Sequence, residues 1–470
     1  MSSDAPAARH LRVLPTLNAD GSRRRIRPKL YPGELYRRRR FVAYGLILTF
    51  VLLPFIHVGD RPLVLLDLTG RHFTLLGSTF FATDGVLLML LLLAIFVGIL
   101  LLTALLGRAF CGWGCPQTVY MEFLFRPLER FFEGDRNAQL RLDRKGASGR
   151  RVLKNLLFFV LSVALANVFL SYFVGVRTLA TWMTSPPMAH PVGFAVMGVT
   201  SALVFFDFAY FREQMCTVIC PYARLQSALL DRDSLVIGYQ ASRGEPRHRG
   251  KSRAGDGDCV DCSACVVACP TGIDIRDGLQ LECIACGQCI DACNTIMPKV
   301  GKPPELIRYA SQRTLGGGPP RILRPRVVAY SVLVASLLAA LVLLGLRRPE
   351  VEVTVLRGLG APFSLVGDDV QSSLRVKLDD HGGQAGRHQL EVLLPGKPGP
   401  VALGQVGARS IIPINPVVVP PLGHTTVSLF VVAPRSAFHH GTLPIVLRIT
   451  PDYGPSRDLP YRLLGPESAP

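Results

Sequence analysis

Charged residues are scarce in this sequence. They make up 18% of its 470 residues, whereas soluble globular domains carry about 25%. The shortage falls on acidic side chains, because 34 Asp and Glu stand against 52 Lys and Arg and leave a net charge of +18. Such a basic excess is typical of nucleic-acid-binding proteins, but those place it on soluble modules. The 49% hydrophobic content and the long apolar runs argue against that class, so we predict no nucleic-acid partner.

Several signatures of enzymes and secreted proteins are also missing. The sequence has no Walker A motif, no Ser/His/Asp hydrolase signature and no dinucleotide-binding fingerprint. Its N-terminal residues lack the apolar core of a secretory signal peptide. These absences leave redox, metal-binding or structural roles. The 12 Cys are clustered, which favours metal chemistry over disulfides.

Long apolar runs dominate the chain instead. They occupy residues 41–59, 85–107, 155–176, 189–211 and 327–346. Each run approaches the ~20 residues that a helix needs to cross a ~30 Å hydrocarbon core. The fourth is the weakest, because Pro191 lies near its start and Asp207 near its end. One such run could be a buried core helix, but five together predict a polytopic α-helical membrane protein with five spans.

Basic residues are concentrated in alternate loops. The first 40 residues carry 11 Lys and Arg and residues 108–154 carry 10, whereas residues 60–83 carry two. Because cytoplasmic loops are enriched in Lys and Arg, we predict that the N-terminus and residues 212–326 lie in the cytoplasm. The fifth span would then carry residues 347–470 to the periplasmic side of a bacterial inner membrane.

These features divide the chain into five predicted regions. They are a basic cytoplasmic tail (1–40), a four-helix transmembrane region with two C-x3-C-P motifs (41–230), a cytoplasmic ferredoxin-like α+β domain (231–326), a fifth transmembrane helix (327–346) and an extracytoplasmic domain (347–470). The last region has no Cys and contains short β-branched runs broken by Gly and Pro, such as residues 374–378. About seven such runs over ~100 residues are typical of an immunoglobulin-like β-sandwich.

Eight Cys repeat the bacterial ferredoxin spacing C-x2-C-x2-C-x3-C twice. In this spacing three thiolates bind one cluster and the fourth binds the other. We therefore assign one [4Fe–4S] cluster to Cys259, Cys262, Cys265 and Cys293, and a second to Cys283, Cys286, Cys289 and Cys269. A pair of structural zinc sites is the alternative, since four thiolates also suit zinc. Zinc sites rarely need eight Cys at this double spacing, so iron–sulfur clusters are the preferred interpretation.

The other four Cys form two matched C-x3-C-P pairs. Cys111 and Cys115 follow the second apolar run, and Cys216 and Cys220 follow the fourth. Thiolates are soft ligands that select Cu(I), zinc or iron–sulfur centres. Single buried Cys are often small apolar fillers, but two identical pairs in corresponding places favour a repeated dithiol. Whether the four thiols form one site is left open by the sequence.

Two weaker candidates lie in or near the fourth apolar run. His190 stands close to Met183 and Met188, and Met and His can bind copper. An interfacial belt of aromatic and polar residues explains the same pattern more simply. Asp207 is an ionisable residue at membrane depth and hence a functional candidate. A side chain that reaches the nearby interface is the alternative for Asp207.

Longer motifs carry a family resemblance. They are CGWGCPQT at residues 111–118, CPYARLQ at 220–226, RGEP at 243–246 and CPTGIDIRDGLQ at 269–280. With them the sequence resembles the FixG/CcoG/RdxA family of cytochrome c oxidase accessory proteins, membrane-bound polyferredoxins, over nearly the whole chain. The resemblance implies a role in assembling a cbb-type oxidase, with reduction of Cu(II) to Cu(I) for copper insertion.

We therefore expect a membrane-bound iron–sulfur electron-transfer protein, with cupric reduction as its candidate activity. An unknown cytoplasmic donor would supply electrons, which would reach a thiol relay or copper site at Cys111, Cys115, Cys216 and Cys220. The periplasmic domain would dock oxidase subunits or copper-delivery assembly factors. Two other functions stay open. One is an electron conduit between quinol or a soluble donor and a respiratory reductase, and the other is a non-catalytic assembly scaffold or redox sensor.

Overall fold

The chain forms two compact units. In the computed structural model they comprise Met1–Gly77 with Val86–Val342, and Ser78–Gly85 with Leu343–Pro470. The structure describes residues 15–18, 20–59, 61–68, 70, 72–75, 78–81, 84–146, 148–249, 255–347, 351–358, 360–380, 386–396, 399–420, 423–452 and 455–466. Residues 1–14 of the predicted basic tail lie outside the described residues.

Helices make up most of the first unit. They are α1 (Glu34–Leu52), α2 (Gly85–Leu106), α3 (Ala109–Trp113), α4 (Pro116–Tyr120), α5 (Arg126–Glu133), α6 (Arg136–Lys145), α7 (Gly149–Val174), α8 (Val176–Thr184), α9 (Pro191–Phe206), α10 (Pro221–Leu229), α11 (Ala241–Gly244), α12 (Ala264–Ala268), α13 (Gln288–Ile296), α14 (Gln312–Leu315) and α15 (Pro325–Leu346). Single π-helical turns span Met121–Phe125, Asp207–Phe211 and Met215–Ile219.

Four helices among the described residues are long and apolar enough to cross a membrane. They are α2, α7, α9 with the turn that continues it to Phe211, and α15. Each exposes large apolar side chains along most of its length, as lipid-facing helices do. The chain is therefore a membrane protein.

The fifth predicted span, at residues 41–59, is not confirmed. Helix α1 covers the start of this run, but it begins at Glu34 and takes in four arginines, residues 37–40. It ends at Leu52, so its apolar part rises only ~18 Å, well short of a ~30 Å hydrocarbon core. The sequence pattern counted apolar residues beyond Leu52 that the structure places in a 3-10 turn, Leu53–Phe55, and in a short strand.

Short strands accompany these helices. They are β1 (His57–Val58), β2 (Arg61–Pro62), β3 (Val64–Asp67), β4 (His72–Leu75), β5 (Ser78–Phe81), β6 (Val236–Tyr239) and β7 (Ile307–Ala310). The pair β6 and β7 is antiparallel and encloses all eight ferredoxin-spaced Cys in sequence. Ile237, Ile290 and Ile307 are buried in the core between these strands and α13.

Helix α1 is capped by a side chain of this ferredoxin-like region. Its own N-cap residue is Gly33, which has no side chain to offer. The carboxylate of Asp291 in α13 instead accepts hydrogen bonds from the backbone N–H groups of Leu35, at 3.2 Å, and Tyr36, at 2.7 Å. A Cβ on Gly33 would lie 2.3 Å from the Asp291 carboxylate. Glycine at position 33 thus allows the cap, and the cap fixes α13 against α1.

A buried group of charges joins further parts of the first unit. Glu129 of α5 accepts hydrogen bonds from Arg27 at 2.5 Å and from Arg212 at 2.9 and 2.8 Å. Lys154 of α7 lies 3.7 Å from the same carboxylate. All four side chains are buried, and they come from four separate segments of the chain. Removing one member would leave buried charges without partners.

The C-terminal region is all-β. Its strands are β8 (Val351–Arg357), β9 (Ser364–Val366), β10 (Asp369–Asp380), β11 (Gly386–Leu394), β12 (Val401–Ala402), β13 (Arg409–Ile411), β14 (Val417–Val419), β15 (His424–Pro434), β16 (Thr442–Pro451) and β17 (Arg457–Leu464). One antiparallel sheet has the order β13-β15-β10-β8, with β9 also on β10, and the other has the order β12-β11-β16-β17, with β14 also on β11.

Both sheets share one apolar core. Strand β10 shows why, because every second residue from Val370 to Leu378 is buried, as expected for a strand with one face inward. Its neighbour β15 buries Val427, Leu429 and Val431 in the same cluster. Strands of the other sheet contribute Leu390 and Ile445 to that cluster.

Candidate functional site

The two ferredoxin-spaced Cys loops have the same backbone conformation. Asp261 and Ala285 occupy equivalent positions, and both have positive φ angles, 46° and 51°. Ser263 and Gly287 are also equivalent, with φ of 55° and 78°. Non-glycine residues rarely adopt this left-handed conformation. Its recurrence at the same places shows that both loops make the same tight turns between their Cys.

Each loop faces its own cavity. One cavity, of about 380 Å³, is lined by Cys259, Cys262, Cys265 and Cys293 together with apolar side chains. The other, of about 330 Å³, is lined by Cys269, Cys283, Cys286 and Cys289, with Cys265 at its edge. We call the first four Cys the first set and the second four the second set. Cys265 lines both cavities, and the assignment of four Cys to each cluster stays a prediction.

The chemistry of the sets fits a metal cluster. Burial raises the pKa of the Cys265 thiol to about 12 and that of the Cys286 thiol to about 11. Such thiols stay protonated at neutral pH unless a metal compensates the thiolate charge. In the described part of the chain, no three His, Cys, Asp or Glu side chains lie close enough to hold a single metal ion. The double ferredoxin spacing of the eight Cys favours iron–sulfur clusters over zinc, because structural zinc sites use single sets of four ligands.

The two C-x3-C-P segments share one backbone conformation. In each, the first Cys lies in a short helical turn and the second is extended, with φ and ψ of −66° and 125° at Cys115 and −61° and 109° at Cys220. Cys269, which also precedes a proline, has nearly the same angles, −70° and 123°. The proline explains this, because it excludes the helical region for the residue before it.

The four C-x3-C-P thiols come together. Cys111 has Cys115 and Cys220 as electrostatic neighbours, and Cys216 has all three of the others. We call Cys111, Cys115, Cys216 and Cys220 the thiol quartet. Burial raises the pKa of Cys111 to about 11 and that of Cys216 to about 12. A single-ion copper site built from these four Cys is not supported, because the quartet too lacks three ligands at single-ion spacing among the described residues.

The quartet lies directly against the second set. Cys111 is 7% exposed and packs in one cluster with Ile284 and Cys286, and Cys216 packs against the same cluster. Gly112 makes the approach possible, since a Cβ there would lie 2.6 Å from the Ile284 carbonyl oxygen and 2.8 Å from the Cys286 Cα. Only glycine allows α3 to approach the cysteine loop this closely.

Hydrogen bonds hold this contact in place. Arg39, which is 1% exposed, donates from Nε and Nη2 to the Gly112 carbonyl at 3.0 and 2.8 Å. Trp113 Nε1 donates to the Tyr309 hydroxyl at 3.0 Å, and that hydroxyl donates to the Ala285 carbonyl at 2.6 Å. Arg108 donates to the Leu281 carbonyl from the other side. The loop between Cys111 and Cys115 is therefore bonded to the loop that carries Cys283 and Cys286.

Polar residues also surround the quartet itself. The Cys111 thiol donates to Gln226 Oε1 at 3.1 Å, and Gln226 is fully buried. Asp207 accepts a hydrogen bond from Gln117 at 3.0 Å and is an electrostatic neighbour of Cys216. Asp207 therefore lies near the quartet. The sequence alone did not decide between a functional role for Asp207 and a side chain that reaches the membrane interface.

His190 lies away from the quartet. It is the N-cap residue of α9, and Cys216 lies beyond the opposite end of that helix. The 21 residues Pro191–Phe211 separate them by roughly 30 Å along the helix axis. Its ring lies 6.4 Å from the Trp182 ring, an aromatic contact. The structure therefore does not bring His190 to the site.

Sequence reasoning missed the residues that join the two sites. Arg39 belongs to a run of four arginines that resembles a solvated basic tail, and Tyr309 belongs to a short strand without a motif. Gly112 and Trp113 do lie between two motif Cys, which is the one signal that could have identified them. Their partners are more than 170 residues away in sequence, at Ile284 and Tyr309.

Family comparisons cover all 12 Cys. A family described as a 4Fe-4S dicluster domain matches residues 211–312, which include both ferredoxin-spaced sets and the second C-x3-C-P pair. A family described as a 4Fe-4S binding domain matches residues 88–134, which include Cys111 and Cys115. The chain therefore carries iron–sulfur clusters, with membrane helices beside them.

Two proteins are similar to this chain over about three quarters of its length. Nitrogen fixation protein FixG of Rhizobium meliloti is 34% identical over 409 residues, which cover 76% of each chain. Protein RdxA of Cereibacter sphaeroides is 34% identical over 386 residues, covering 78% of this chain and 82% of the relative. The crystal structure of a FixG-related protein from Vibrio parahaemolyticus aligns with 25% of this chain and 98% of its own at a TM-score of 0.20 and 12% identity, a likeness too weak to carry an argument.

Proposed function

The chain belongs to the FixG/RdxA family, as its motifs predicted, and we propose on that premise that it reduces Cu(II) to Cu(I) during maturation of a cbb-type cytochrome c oxidase. Iron–sulfur clusters, when bound, supply reversible one-electron storage. The proposal assigns the eight ferredoxin-spaced Cys as cluster ligands in the two sets defined above, and the quartet as the place where electrons leave the protein.

One observation carries this proposal. Cys111 packs in the same buried cluster as Ile284 and Cys286, so the quartet touches the loop that supplies second-set ligands. Arg39 and the Trp113–Tyr309 pair fix this contact with hydrogen bonds. A thiol site held in van der Waals contact with a cluster loop is suited to exchange electrons with it.

Copper enters as the substrate, not as a resident ion. Soft thiolates favour Cu(I) over harder cations, and the family resemblance points to copper delivery. Each Cu(II) takes up one electron and becomes Cu(I), and a reduced cytoplasmic one-electron carrier loses one electron for each copper reduced. If two quartet thiols form a disulfide, they release two protons and two electrons, and the two electrons reduce two Cu(II) to Cu(I).

A cupric-reductase assay tests the proposal. Anaerobically purified protein, reduced and freed of excess reductant, is given Cu(II) and a Cu(I)-specific chelator. We expect Cu(I) formation by the wild type and its loss in the Cys216→Ser/Cys220→Ser variant. The matched control is Val218→Ala, which changes the same turn without touching a thiol. Equal Cu(I) formation by the double variant with full iron content would contradict the role of the quartet.

A third iron–sulfur centre at the quartet is the second candidate. The match of a 4Fe-4S binding family to residues 88–134 favours it, because Cys111 and Cys115 are the Cys in that range. Iron and acid-labile sulfide per chain distinguish the two possibilities. Two [4Fe–4S] clusters contain eight iron atoms in all. A larger iron content that is lost on replacing Cys216 and Cys220 would support the third centre.

The proposed topology follows the basic loops. The N-terminus and both cysteine sets lie in the cytoplasm, and residues 347–470 lie in the periplasm of a bacterial inner membrane. Reporter fusions after residue 249 and at the C-terminus test this arrangement. We expect a cytoplasmic reporter to be active at the first site and a periplasmic reporter at the second. The reverse pattern would contradict the topology.

The periplasmic region is proposed to be an immunoglobulin-like domain that docks oxidase subunits or copper-delivery factors. Its strand order supports this, because β8, β10, β15 and β13 correspond to strands A, B, E and D of that fold. Strands β12, β11, β16 and β17 correspond likewise to C′, C, F and G. Deleting residues 351–466 should abolish oxidase maturation while leaving cupric reduction by the purified protein intact.

A further inference from the structure

Two buried arginines flank the junction between the quartet and the second set. Arg39 is 1% exposed and Arg108 is 4% exposed. Within the described residues, no carboxylate lies at ion-pair distance from either guanidinium. Arg39 instead donates to the Gly112 carbonyl and lies over the Phe123 ring at 5.3 Å, and Arg108 donates to the Leu281 carbonyl. One nitrogen of each, Arg39 Nη1 and Arg108 Nε, has no hydrogen-bond partner.

Both cations lie beside second-set Cys. Arg39 donates to the carbonyl of Gly112, and a Cβ on that glycine would lie 2.8 Å from the Cys286 Cα. Arg108 donates to the carbonyl of Leu281, two residues before Cys283 in the sequence. The two positive charges therefore lie next to the place where the second set meets the quartet.

The negative groups nearby are already engaged. Glu122 also faces Cys286, but it accepts hydrogen bonds from Arg126 at 2.6 Å and Gln288 at 3.1 Å. Asp291 faces Arg39 and caps the N-terminus of α1. Neither carboxylate forms an ion pair with Arg39 or Arg108.

The first set has the opposite arrangement. Arg276 lines its cavity, but this arginine donates to Asp274 at 2.8 and 2.7 Å and to Asp261 at 2.6 Å. Asp261 also pairs with Arg249 at 2.6 Å. Asp258, directly before Cys259 in the sequence, is likewise paired with Arg243 and Lys302. The cations around the first set are therefore neutralised by ion pairs with carboxylates, whereas Arg39 and Arg108 beside the second set form no ion pair among the described residues.

A buried guanidinium without a counter-charge is strongly unfavourable. Four thiolates around an iron–sulfur centre carry net negative charge, which would balance it. We infer that Arg39 and Arg108 are the counter-charges of the second set, and that they make one-electron reduction more favourable there than at the first set. The inference rests on the proposed function, in which electrons leave the protein at the quartet. It adds that electrons pass from the first centre to the second, which lies beside the quartet.

A redox titration of the full-length, anaerobically purified protein tests this. EPR follows the two reduced centres, and the signal lost in a Cys286→Ser variant identifies the second. We expect Arg39→Gln to lower the equilibrium constant for one-electron reduction of the second centre at least tenfold, which corresponds to about 59 mV. The reduction potential of the first centre should stay unchanged. Arg37→Gln removes an equal but exposed charge from the same helix, and it should leave the reduction potentials of both centres unchanged.

Conservative variants separate charge from packing. Arg39→Lys keeps the charge, so it should keep the full iron content and most of the reduction potential of the second centre. Arg108→Gln should lower the reduction potential of the second centre, as Arg39→Gln does. If Arg39→Gln loses its iron, the Arg108→Gln titration decides. Three results would overturn the inference. The first is an unchanged reduction potential of the second centre in a variant with full iron content, the second is an equal shift of both potentials, and the third is loss of iron in Arg39→Lys. No copper is used, so the result stands apart from the cupric-reductase assay.

Discussion

The indole Nε1 of Trp113 donates a hydrogen bond to the hydroxyl of Tyr309 at 3.0 Å. Trp113 lies between two quartet Cys, and the Tyr309 hydroxyl donates in turn to the carbonyl of Ala285, next to Cys286. The pair thus links the two candidate redox sites by side chains from distant parts of the sequence. Its first consequence concerns the rate at which electrons reach the quartet.

Replacing Tyr309 with Phe removes the hydroxyl and both bonds, and keeps the ring. We expect a loss of about 2 kcal/mol in stability, because each of the two hydrogen bonds contributes about 1 kcal/mol. Cupric reduction should slow several-fold while iron content stays at the wild-type level, because the quartet loop loses its tether. Stopped-flow Cu(I) formation and iron analysis on the same preparation measure both. Tyr44→Phe, on the exposed face of α1, is the control; unchanged rates in Tyr309→Phe would show that the link is not needed.

Glycine at position 112 should tolerate no side chain. A Cβ would meet backbone atoms of Ile284, Ala285 and Cys286 within 3 Å, and backbone cannot move aside as a flexible side chain can. We expect Gly112→Ala to separate the quartet from the second set and to abolish cupric reduction.

Gly114→Ala is the matched control, since its Cβ would meet mainly the ring of Phe110, at 3.1 Å. We expect that variant to keep most of its activity. EPR of the reduced protein would report whether the second centre survives in each case. Full activity of Gly112→Ala would contradict the close contact between α3 and the cysteine loop.

Glu129 should stabilise the fold above acid pH. Burial opposes its ionisation, but Arg212, Arg27 and Lys154 override that effect and hold its pKa well below the ordinary value of 4.5. An acid with a depressed folded pKa contributes stability that is present above its unfolded pKa and is lost as the pH falls. Wild-type stability should therefore decline as the pH drops below about 4.5, the unfolded value.

Glu129→Gln should lose about 3–5 kcal/mol, because it leaves buried cations unpaired. Its stability should also depend less on pH in the acid range. Thermal unfolding in detergent between pH 3 and pH 7, with Glu34→Gln as an exposed control, measures both effects. A pH profile that Glu129→Gln leaves unchanged would assign the acid sensitivity to other carboxylates.

Sequence reasoning went furthest where spacing itself encodes geometry. The repeat C-x2-C-x2-C-x3-C predicted iron–sulfur clusters, and a 4Fe-4S dicluster family matches the residues that carry it. The proline after Cys115 and Cys220 accounts for the extended backbone of both Cys. Alternating apolar residues likewise predicted strands such as β10.

The rest depends on contacts between distant segments. Nothing local to Arg39 distinguishes it from Arg38, yet the first is buried against Gly112 and the second is exposed. The arginines that resembled a tail extend α1 at its N-terminus, and the first predicted span is not confirmed. The meeting of Cys111 with Cys286 closes a loop of about 175 residues, and no local pattern specifies such a closure.

A single-turnover experiment tests the central claim most directly. Protein with fully reduced clusters, freed of excess reductant, is mixed with Cu(II), and cluster reoxidation and Cu(I) formation are followed together. The account predicts that wild-type clusters reoxidise with one Cu(I) formed per electron lost, and that the clusters of Cys216→Ser/Cys220→Ser stay reduced on the same timescale. Reoxidation of that variant at the wild-type rate, with its iron content intact, would contradict the account.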